Sequence, residues 1–278
     1  MMHINCKGQL INFKTPKIMG VLNITPDSFY DGGRYKDSKS VLLQAEKMIS
    51  EGVDFIDLGA YSSRPGAKNI DENTEKSRLL PILEELVKEF PQTPYSIDTF
   101  RSSVAEEALN LGAALINDIS AGKLDDQMMA TVAKYKVPYV MMHMLGTPQN
   151  MQELNSYENI INAINYYFSS QIKKARALGI ADIIIDPGFG FAKNSHQNFE
   201  ILHSLNLFKN FEVPLLVGLS RKSMIYRNLG ITPSEALNGT SVLNTIAILK
   251  GASILRVHDV KEAKEVIELC SLTFSNKN

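Results

Sequence analysis

The sequence has few cysteines, little net charge and no long apolar run, and each shortage excludes a class of protein. Its two cysteines, Cys6 and Cys270, lie near opposite ends of the 278-residue chain, with no CxxC motif and no Cys/His spacing. They therefore indicate neither a disulfide framework nor a zinc site. The formal net charge of -1 gives no reason to expect a nucleic acid or a membrane surface as a partner.

The chain also lacks targeting and membrane segments. Its apolar runs are far shorter than a membrane span, and the N-terminal residues MMHINCKGQLINFKTPK contain no apolar stretch of signal-peptide length. Two unpaired thiols suit a reducing compartment. We therefore expect a cytoplasmic protein that contacts neither a membrane nor a nucleic acid.

What the sequence does have is enough apolar residues for one large core. Hydrophobic residues make up 44% of the chain and charged residues 21%. The length of 278 residues is close to the roughly 250 residues of a single closed α/β barrel. No Pro/Gly/Ser-rich linker or block of like charge divides the chain. We expect one domain over residues 1–278, with its core at about 16–274.

Short runs rich in β-branched residues alternate with helical patterns along the whole chain. Such runs are typical of buried parallel strands. Eight strands are predicted, at residues 18–22, 55–58, 95–97, 114–116, 139–142, 183–185, 214–219 and 254–257. Eight helices are predicted between and after them, at residues 39–51, 74–90, 102–111, 127–135, 157–178, 198–208, 234–250 and 261–271.

This alternation fits two architectures. In an open doubly wound sheet the first crossover carries G-x-G-x-x-G, but the turn after Leu22 reads NITPDSFYDGG. Eight strand–helix units instead favour closure into a single (β/α)₈ TIM barrel. Such barrels place their active sites at the C-terminal ends of the strands.

Polar side chains stand at the end of nearly every predicted strand. Taken singly, each could be a cap of the following helix. In a barrel they converge on one mouth, so their number predicts a site there. These residues are Asn23, Asp57, Asp98, Asn117, Asp118, His143, Asp186, Ser220, Lys222, Arg256 and His258.

The acidic and amide side chains at this mouth suit a flat, nitrogen-rich ring. A carboxylate accepts two N–H bonds from an amino-pyrimidine edge, and an asparagine both donates and accepts. Asp98, Asn117 and Asp186 are therefore candidates for binding a guanine-like or pterin-like ring, with metal ligation as the alternative role. Lys222 and Arg256 suit an anionic leaving group or the face of a ring, or they pair with Asp98 or Asp186.

Two further segments suit phosphate. The loop 62–66, Ser-Ser-Arg-Pro-Gly, offers hydroxyls, a guanidinium and backbone N–H groups, although it could be a simple turn. Residues 220–223, Ser-Arg-Lys-Ser, follow strand seven, where such barrels often hold phosphate. Asn23 offers a neutral oxygen of the kind that Mg²⁺ accepts beside phosphate and water. Alternation along strand five points Met142 into the pocket.

The motifs MGVLNITPDSFYDGG, IDLGAYSSRPGA, SIDTFR, INDIS, IIIDPGFGFAK, VGLSRKS, NGTSV and LRVHDV follow one another in this order. Together they resemble the dihydropteroate synthase family, from about Ile18 to the last helix. The resemblance implies that p-aminobenzoate condenses with a dihydropterin hydroxymethyl diphosphate in folate biosynthesis, with sulfonamides competing for the amine site. It also implies a homodimer formed through helices near the C-terminal end.

The resemblance assigns roles position by position. It implies pterin binding by Asp98, Asn117, Met142, Asp186, Lys222 and Arg256. It implies diphosphate binding by Asn23, Ser63, Arg64, Arg256 and His258, with Asn23 as the ligand of Mg²⁺. It implies an amine pocket formed by Phe29, Pro65, Phe189, Ser220 and Lys222, and it implies that the catalytic residues are Asp98, Lys222, Arg256 and Asp27. Asp57 lies deeper in its strand, and its role stays open.

The chain departs from the common family pattern in three places. Gly59-Ala60-Tyr61 replaces Gly-Gly-Glu, Ala192 replaces a glycine after GFGF, and Ser63 replaces a threonine. These changes bear on affinity and drug sensitivity more than on the reaction.

Three other functions are compatible with part of this pattern. The first is the pterin-binding methyltransferase that acts with a corrinoid protein, against which the SRK and RVHDV segments argue. The second is a non-catalytic pterin-binding relative, which would be expected to lack Arg64, Lys222 or Arg256. The third is an aldolase or decarboxylase barrel with a Schiff-base lysine, which Lys222 alone leaves open.

Overall fold

The structure, a computed structural model, describes residues 2–24, 34–61 and 70–274. The strands are β1 His3–Cys6, β2 Gln9–Asn12, β3 Lys17–Asn23, β4 Phe55–Gly59, β5 Tyr95–Asp98, β6 Leu115–Asp118, β7 Tyr139–Met142, β8 Ile183–Asp186, β9 Leu216–Val217 and β10 Ile254–Val257. The helices are α1 Arg34–Ser50, α2 Glu72–Glu89, α3 Ser102–Asn110, α4 Met128–Tyr135, α5 Ile160–Ala177, α6 Ser195–His203, α7 Ser223–Leu229, α8 Leu237–Leu249 and α9 Val260–Phe274. Short 3₁₀ segments lie at Met151–Glu153, Leu205–Phe211 and Pro233–Glu235.

Strands β3 to β10 form one parallel sheet that closes into a barrel. Each of them pairs with its neighbour in the chain, and β10 pairs with β3. A parallel bridge between Ile185 and Leu215 joins β8 to the residue before β9 and completes the ring. The Ile185 N–H donates to the Pro214 carbonyl at 3.0 Å across this junction. The predicted TIM barrel is confirmed, and the open doubly wound alternative is wrong.

Helices cover the outside of the barrel, so the strands bury both faces. This explains why they are continuous apolar runs rather than alternating ones. The main hydrophobic core lies between the barrel and the helices, where strand residues such as Ile56 and Ile97 pack with helix residues such as Leu79 and Leu83. In the described part of the chain, no helix is long and apolar enough to cross a membrane.

An N-terminal hairpin that the sequence pattern did not predict closes the base of the barrel. Strands β1 and β2 pair antiparallel. Ile4 and Cys6 pack against base residues of the barrel that include Met19 and Phe55. The Cys6 thiol lies 3.6 Å from the Ala114 carbonyl as a weak donor. The two strands were missed because they are short and rich in polar residues.

Two helix predictions needed correction. The single helix predicted at 198–208 is α6 followed by a separate 3₁₀ segment, in which Leu205 and Phe208 are both buried. Residues three apart share a face in a 3₁₀ helix, which explains this packing. Helix α7, directly after Lys222, was not predicted, because it spans only 7 residues. The predicted strand 214–219 pairs regularly only at β9.

Candidate active site

The strand-end residues meet at the mouth of the barrel, where Arg256 of β10 bonds residues of two other strands. Its Nε donates to Oδ2 of Asp57 on β4, and its Nη2 donates to Oδ2 of Asp98 on β5, each at 2.7 Å. Asn117 of β6 donates from Nδ2 to the same Asp57 oxygen at 3.0 Å. The ion pairing that the sequence left as an alternative for Arg256 is therefore present with Asp98.

Asp57 is the residue whose importance the sequence understated. Its side chain is fully buried. One oxygen accepts from both Arg256 and Asn117, and the other, Oδ1, is buried without a hydrogen-bond partner among the described residues. A buried carboxylate is stable only when its charge is balanced. A charged residue inside the apolar run Phe55–Gly59 was the sequence signal of this role.

The buried charges perturb each other. The pKa of Asp98 is raised to about 7, mainly by burial; Arg256 opposes this rise, and the negative charge of Asp57 adds to it. Burial by itself lowers the pKa of Arg256, but Asp57 and Asp98 more than offset this and raise it overall. Arg256 is therefore a permanent cation, whereas Asp98 can exchange a proton near neutral pH.

Asp186 and Lys222 form the second charged group of the mouth. Asp186, at the end of β8, accepts from the Gly188 N–H at 2.8 Å. Burial raises the pKa of Asp186, and the charge of Lys222 opposes this. Burial lowers the pKa of Lys222 to about 8, and Asp186 opposes this. The Lys222 Nζ donates to the Phe189 carbonyl and lies 4.9 Å from the centroid of the Phe191 ring.

Glycines keep the space between these groups open. A Cβ placed on Gly218 would lie 3.9 Å from both Arg256 Cβ and Lys222 Nζ. A Cβ placed on Gly59 would lie 3.7 Å from Asp98 Oδ2 and 3.8 Å from Asn23 Oδ1. These are ordinary van der Waals distances, so only a side chain longer than a methyl group at either position would fill the space between the polar groups.

The two adjacent basic residues after β9, Arg221 and Lys222, have different roles. The Arg221 guanidinium makes two bonds to Asp259, from Nε at 2.9 Å and from Nη2 at 2.8 Å, and it also donates to the Pro233 and Ser234 carbonyls. Arg221 thus connects the loop after β9 to residues 233–234 and to Asp259 after β10. Lys222 is the member of the pair that lies at the mouth. Ser220 Oγ lies 3.0 Å from Nδ1 of His258, which fixes the imidazole at the same edge.

An apolar wall lines one side of the mouth. Met142 packs with Ile119, Met144, Met151 and Ala192, and partly buried residues such as Phe191 lie against this cluster. Phe189 is fully buried in the main core, and its carbonyl is the group that contacts Lys222.

Two strand-end residues do not reach the mouth. Asp118 is buried and accepts from the Ser120 N–H and Oγ, the Gly122 N–H and the Tyr139 hydroxyl. His143 is buried, and burial together with the nearby Lys193 lowers its pKa to about 2. Asp118 bonds its own loop and does not cap α4, which begins at Met128, so the helix-cap alternative is wrong for this residue, and His143 is neutral.

A separate charged cluster, which the sequence did not indicate, is centred on Glu75 and Arg101. Buried Glu75 of α2 accepts from the Thr99 hydroxyl at 2.7 Å and from Nη1 of Arg101. Arg101 also donates to the Ile70 carbonyl at 2.6 Å, and its guanidinium lies 5.4 Å from the Tyr61 ring centroid. Arg101 thus contacts Tyr61 and Ile70, the residues that flank positions 62–69.

Five predicted site residues lie outside the described residues. Asp27 and Phe29 fall in 25–33, and Ser63, Arg64 and Pro65 fall in 62–69. Asn23 is described, at the end of β3, with its amide oxygen beside Gly59 at the mouth. Within residues 2–24, 34–61 and 70–274, no three His, Cys, Asp or Glu side chains cluster as metal ligands. Asn23 therefore fits a cation that takes most of its ligands from phosphate and water, as Mg²⁺ does.

Comparison with known proteins identifies close relatives along the whole chain. A family model described as "Pterin binding enzyme" matches residues 19–258. Dihydropteroate synthase of Escherichia coli (strain K12) is 39% identical over 278 residues, which covers 99% of this chain and 98% of that protein.

Solved structures of relatives have the same fold. Yersinia pestis dihydropteroate synthase in complex with a sulfonamide drug has a TM-score of 0.92 at 39% identity, over 99% of this chain and 100% of that one. Xanthomonas albilineans dihydropteroate synthase with 4-aminobenzoic acid has a TM-score of 0.91 at 32% identity, over 98% of this chain and 97% of that one.

Proposed function

The chain belongs to the dihydropteroate synthase family of pterin-binding enzymes, and we propose that it condenses p-aminobenzoate with (7,8-dihydropterin-6-yl)methyl diphosphate. The products are 7,8-dihydropteroate and diphosphate, which makes the protein a transferase of folate synthesis. The observation that carries this proposal is the arrangement of Asp57, Asp98 and Asn117 around Arg256, beside Asp186 and Lys222.

The acidic and amide groups recognise the pterin. Asp186 accepts N–H bonds from the amino-pyrimidine edge, Asn117 donates and accepts beside it, and Met142 forms an apolar wall. Arg256 packs over the ring, with its orientation fixed by Asp57 and Asp98. A site that hydrogen-bonds a substrate on every edge discriminates strongly against analogues that lack those groups.

Positive and neutral donors stabilise the departing diphosphate. When the bond from the pterin methylene to the diphosphate oxygen breaks, the electron pair leaves with the diphosphate. Arg256 and His258, with Ser63 and Arg64, balance that charge, and Asp98 balances the cation left on the pterin. Mg²⁺ bound through Asn23 would supply further charge neutralisation of the diphosphate.

Reaction of the arylamine depends more on holding it in the right position than on a catalytic base that deprotonates it. The lone pair of a neutral arylamine forms the new C–N bond directly, and the arylammonium so formed loses one proton to the released diphosphate or to water. Binding the amine close to the methylene therefore supplies much of the rate. Phe29, Pro65, Phe189, Ser220 and Lys222 form the amine pocket in this proposal, and Asp27 helps to hold the leaving group. Sulfonamides, as analogues of p-aminobenzoate, compete for the same pocket.

A homodimer in the cytoplasm completes the proposal. Helices α8 and α9 pack together and expose large apolar side chains. Val242 and Leu249 of α8 are 51% and 53% exposed, and Leu269 and Leu272 of α9 are 65% and 72% exposed. Exposed apolar side chains on two neighbouring helices support a subunit contact through these helices. Both cysteines are free in the structure, as suits a reducing compartment.

The proposed reaction is tested by measuring diphosphate release and dihydropteroate formation with Mg²⁺, with and without p-aminobenzoate. We expect amine-dependent release that is lost in Lys222→Ala. Lys47→Ala is the control, because Lys47 lies on α1 with a side chain that is 64% exposed, and we expect its activity to be retained. Pterin binding without product would contradict the synthase assignment and favour a pterin-binding methyltransferase.

A further inference from the structure

Lys193 is a buried lysine beside the proposed pterin site, and none of the proposed steps uses it. Its side chain is 3% exposed. Its Nζ donates to three backbone carbonyls, those of His143 at 3.1 Å, Gly188 at 2.9 Å and Phe191 at 2.8 Å. In the described part of the chain, no carboxylate forms an ion pair with it.

The three acceptors match the three N–H bonds of an ammonium group. A neutral amine has only two N–H bonds and would leave its lone pair directed at one carbonyl oxygen. Burial lowers the pKa of Lys193, and the negative charge of Asp186 opposes this. The three carbonyls are therefore arranged to receive an ammonium group, and Asp186 favours its charged form against the effect of burial.

Lys193 closes a loop in which nearly every polar backbone group is bonded. In the loop 187–192, the Gly188 N–H bonds to Asp186 and the Gly190 N–H to Asn198. The carbonyls of Gly190 and Ala192 accept from Gln152 and Tyr157. Buried backbone groups need such partners, so this loop has little freedom to adopt another conformation.

This loop carries the two contacts that hold the second charged group of the mouth. Phe189 presents its carbonyl to Lys222, and Gly188 presents its N–H to Asp186. Lys193 bonds the carbonyls on either side of Phe189, those of Gly188 and Phe191, and joins them to β7 through His143. A shift of these carbonyls would move the point at which Lys222 is held.

We propose that Lys193 is a positioning residue of the pterin site, which fixes loop 187–192 so that Lys222 and Asp186 are held in place for the substrate. The inference rests on the proposed function, since it concerns the same site. Lys193 itself contacts backbone carbonyls and acts on the substrate only through its neighbours.

A double-mutant cycle separates this role from a general effect on folding. Binding of 6-hydroxymethylpterin is measured by calorimetry for the wild type, Lys193→Met, Lys222→Ala and the double variant. We expect Lys193→Met to weaken affinity about tenfold when Lys222 is present and by about threefold or less in the Lys222→Ala background, where only Asp186 remains to be positioned, because residues in one network are coupled. An equal loss in both backgrounds would overturn the proposal.

Two further variants control for stability. Tyr95 is the first residue of β5, far from the mouth, and its buried hydroxyl donates to the Leu86 carbonyl of α2. Tyr95→Phe removes this hydroxyl. It should lower the melting temperature and leave pterin affinity unchanged. Lys193→Gln keeps two donors and should bind with intermediate affinity, which provides a test even if Lys193→Met does not fold. A folded Lys193→Gln with unchanged affinity counts against the proposal, whereas a wild type that binds no pterin contradicts the proposed function instead.

Discussion

The Nε of Arg256 donates to Oδ2 of Asp57 at 2.7 Å, although the two residues are 199 positions apart in the chain. This bond joins the last strand of the barrel to the second, across the strand β3 that lies between them. It fixes the plane of the guanidinium, because Asp98 accepts from Nη2 at the same time. Arg256 therefore enters the mouth in one orientation before any substrate binds, which lowers the cost of ordering it.

Asp57→Asn should disturb this arrangement without changing the volume of the side chain. The substitution removes one charge of a buried pair, so we expect the free energy of unfolding to fall by about 2–4 kcal/mol and pterin affinity to fall by about tenfold or more. Urea unfolding and calorimetry measure the two effects. Asp54→Asn is the control, since Asp54 pairs with Lys17 at the opposite end of β3 and is partly exposed. A similar loss of affinity in both variants would show that Asp57 has no particular role.

Pterin affinity should follow a bell-shaped dependence on pH. Its acid limb should lie at about 7, the raised pKa of Asp98, and its alkaline limb at about 8, the lowered pKa of Lys222. Below the lower value Asp98 gains a proton and becomes a weaker acceptor for the N–H groups of the pterin. Above the higher value Lys222 loses its charge. The profile is measured by calorimetry from pH about 5 to about 10.

The Asp57→Asn variant checks the assignment of the acid limb. The charge of Asp57 raises the pKa of Asp98, so its removal should move this limb to lower pH. An acid limb that stays in place would assign it to another group.

Arg101→Met should destabilise the protein through Glu75. Burial raises the pKa of Glu75, and Arg101 opposes this as its charged partner. Without Arg101 a buried carboxylate lacks its balancing charge, so we expect a loss of about 3 kcal/mol near neutral pH. The loss should shrink as pH falls through the raised pKa of Glu75, because protonation removes the unbalanced charge. Urea unfolding at several pH values tests this, and Glu75→Gln in the same variant should recover part of the stability.

Ala192→Gly should stabilise the protein slightly. Ala192 has φ of +50° in the left-handed region, which costs an L-residue about 1–2 kcal/mol, whereas glycine pays about 0.5–1 kcal/mol in chain entropy. We expect a net gain of up to about 1 kcal/mol in urea unfolding. Ala121→Gly, at φ of +51°, should behave in the same way. Ala247→Gly inside α8 should instead lose about 1 kcal/mol, and a loss at all three positions would exclude strain as the cause.

The sequence predicted the barrel strands and the ring of polar residues at their ends, because apolar runs and the residues that end them are local patterns. It could not predict which side chains pair across the barrel. The bond between Asp57 and Arg256 depends on strand register and closure, and the contacts of Lys193 depend on the path of loop 187–192. The hairpin strands, of 4 residues each, and helix α7, of 7 residues, were missed because such short segments carry little periodic signal.

The hairpin at the base of the barrel gives the protein a chemical reporter of its own. Burial raises the pKa of Cys6 to about 12, so its thiol is protonated at neutral pH and reacts slowly with alkylating reagents. Reaction requires β1 to separate from the base residues that cover this sulfur. The rate at which Cys6 is alkylated under native conditions therefore measures how often the hairpin detaches, independently of events at the mouth.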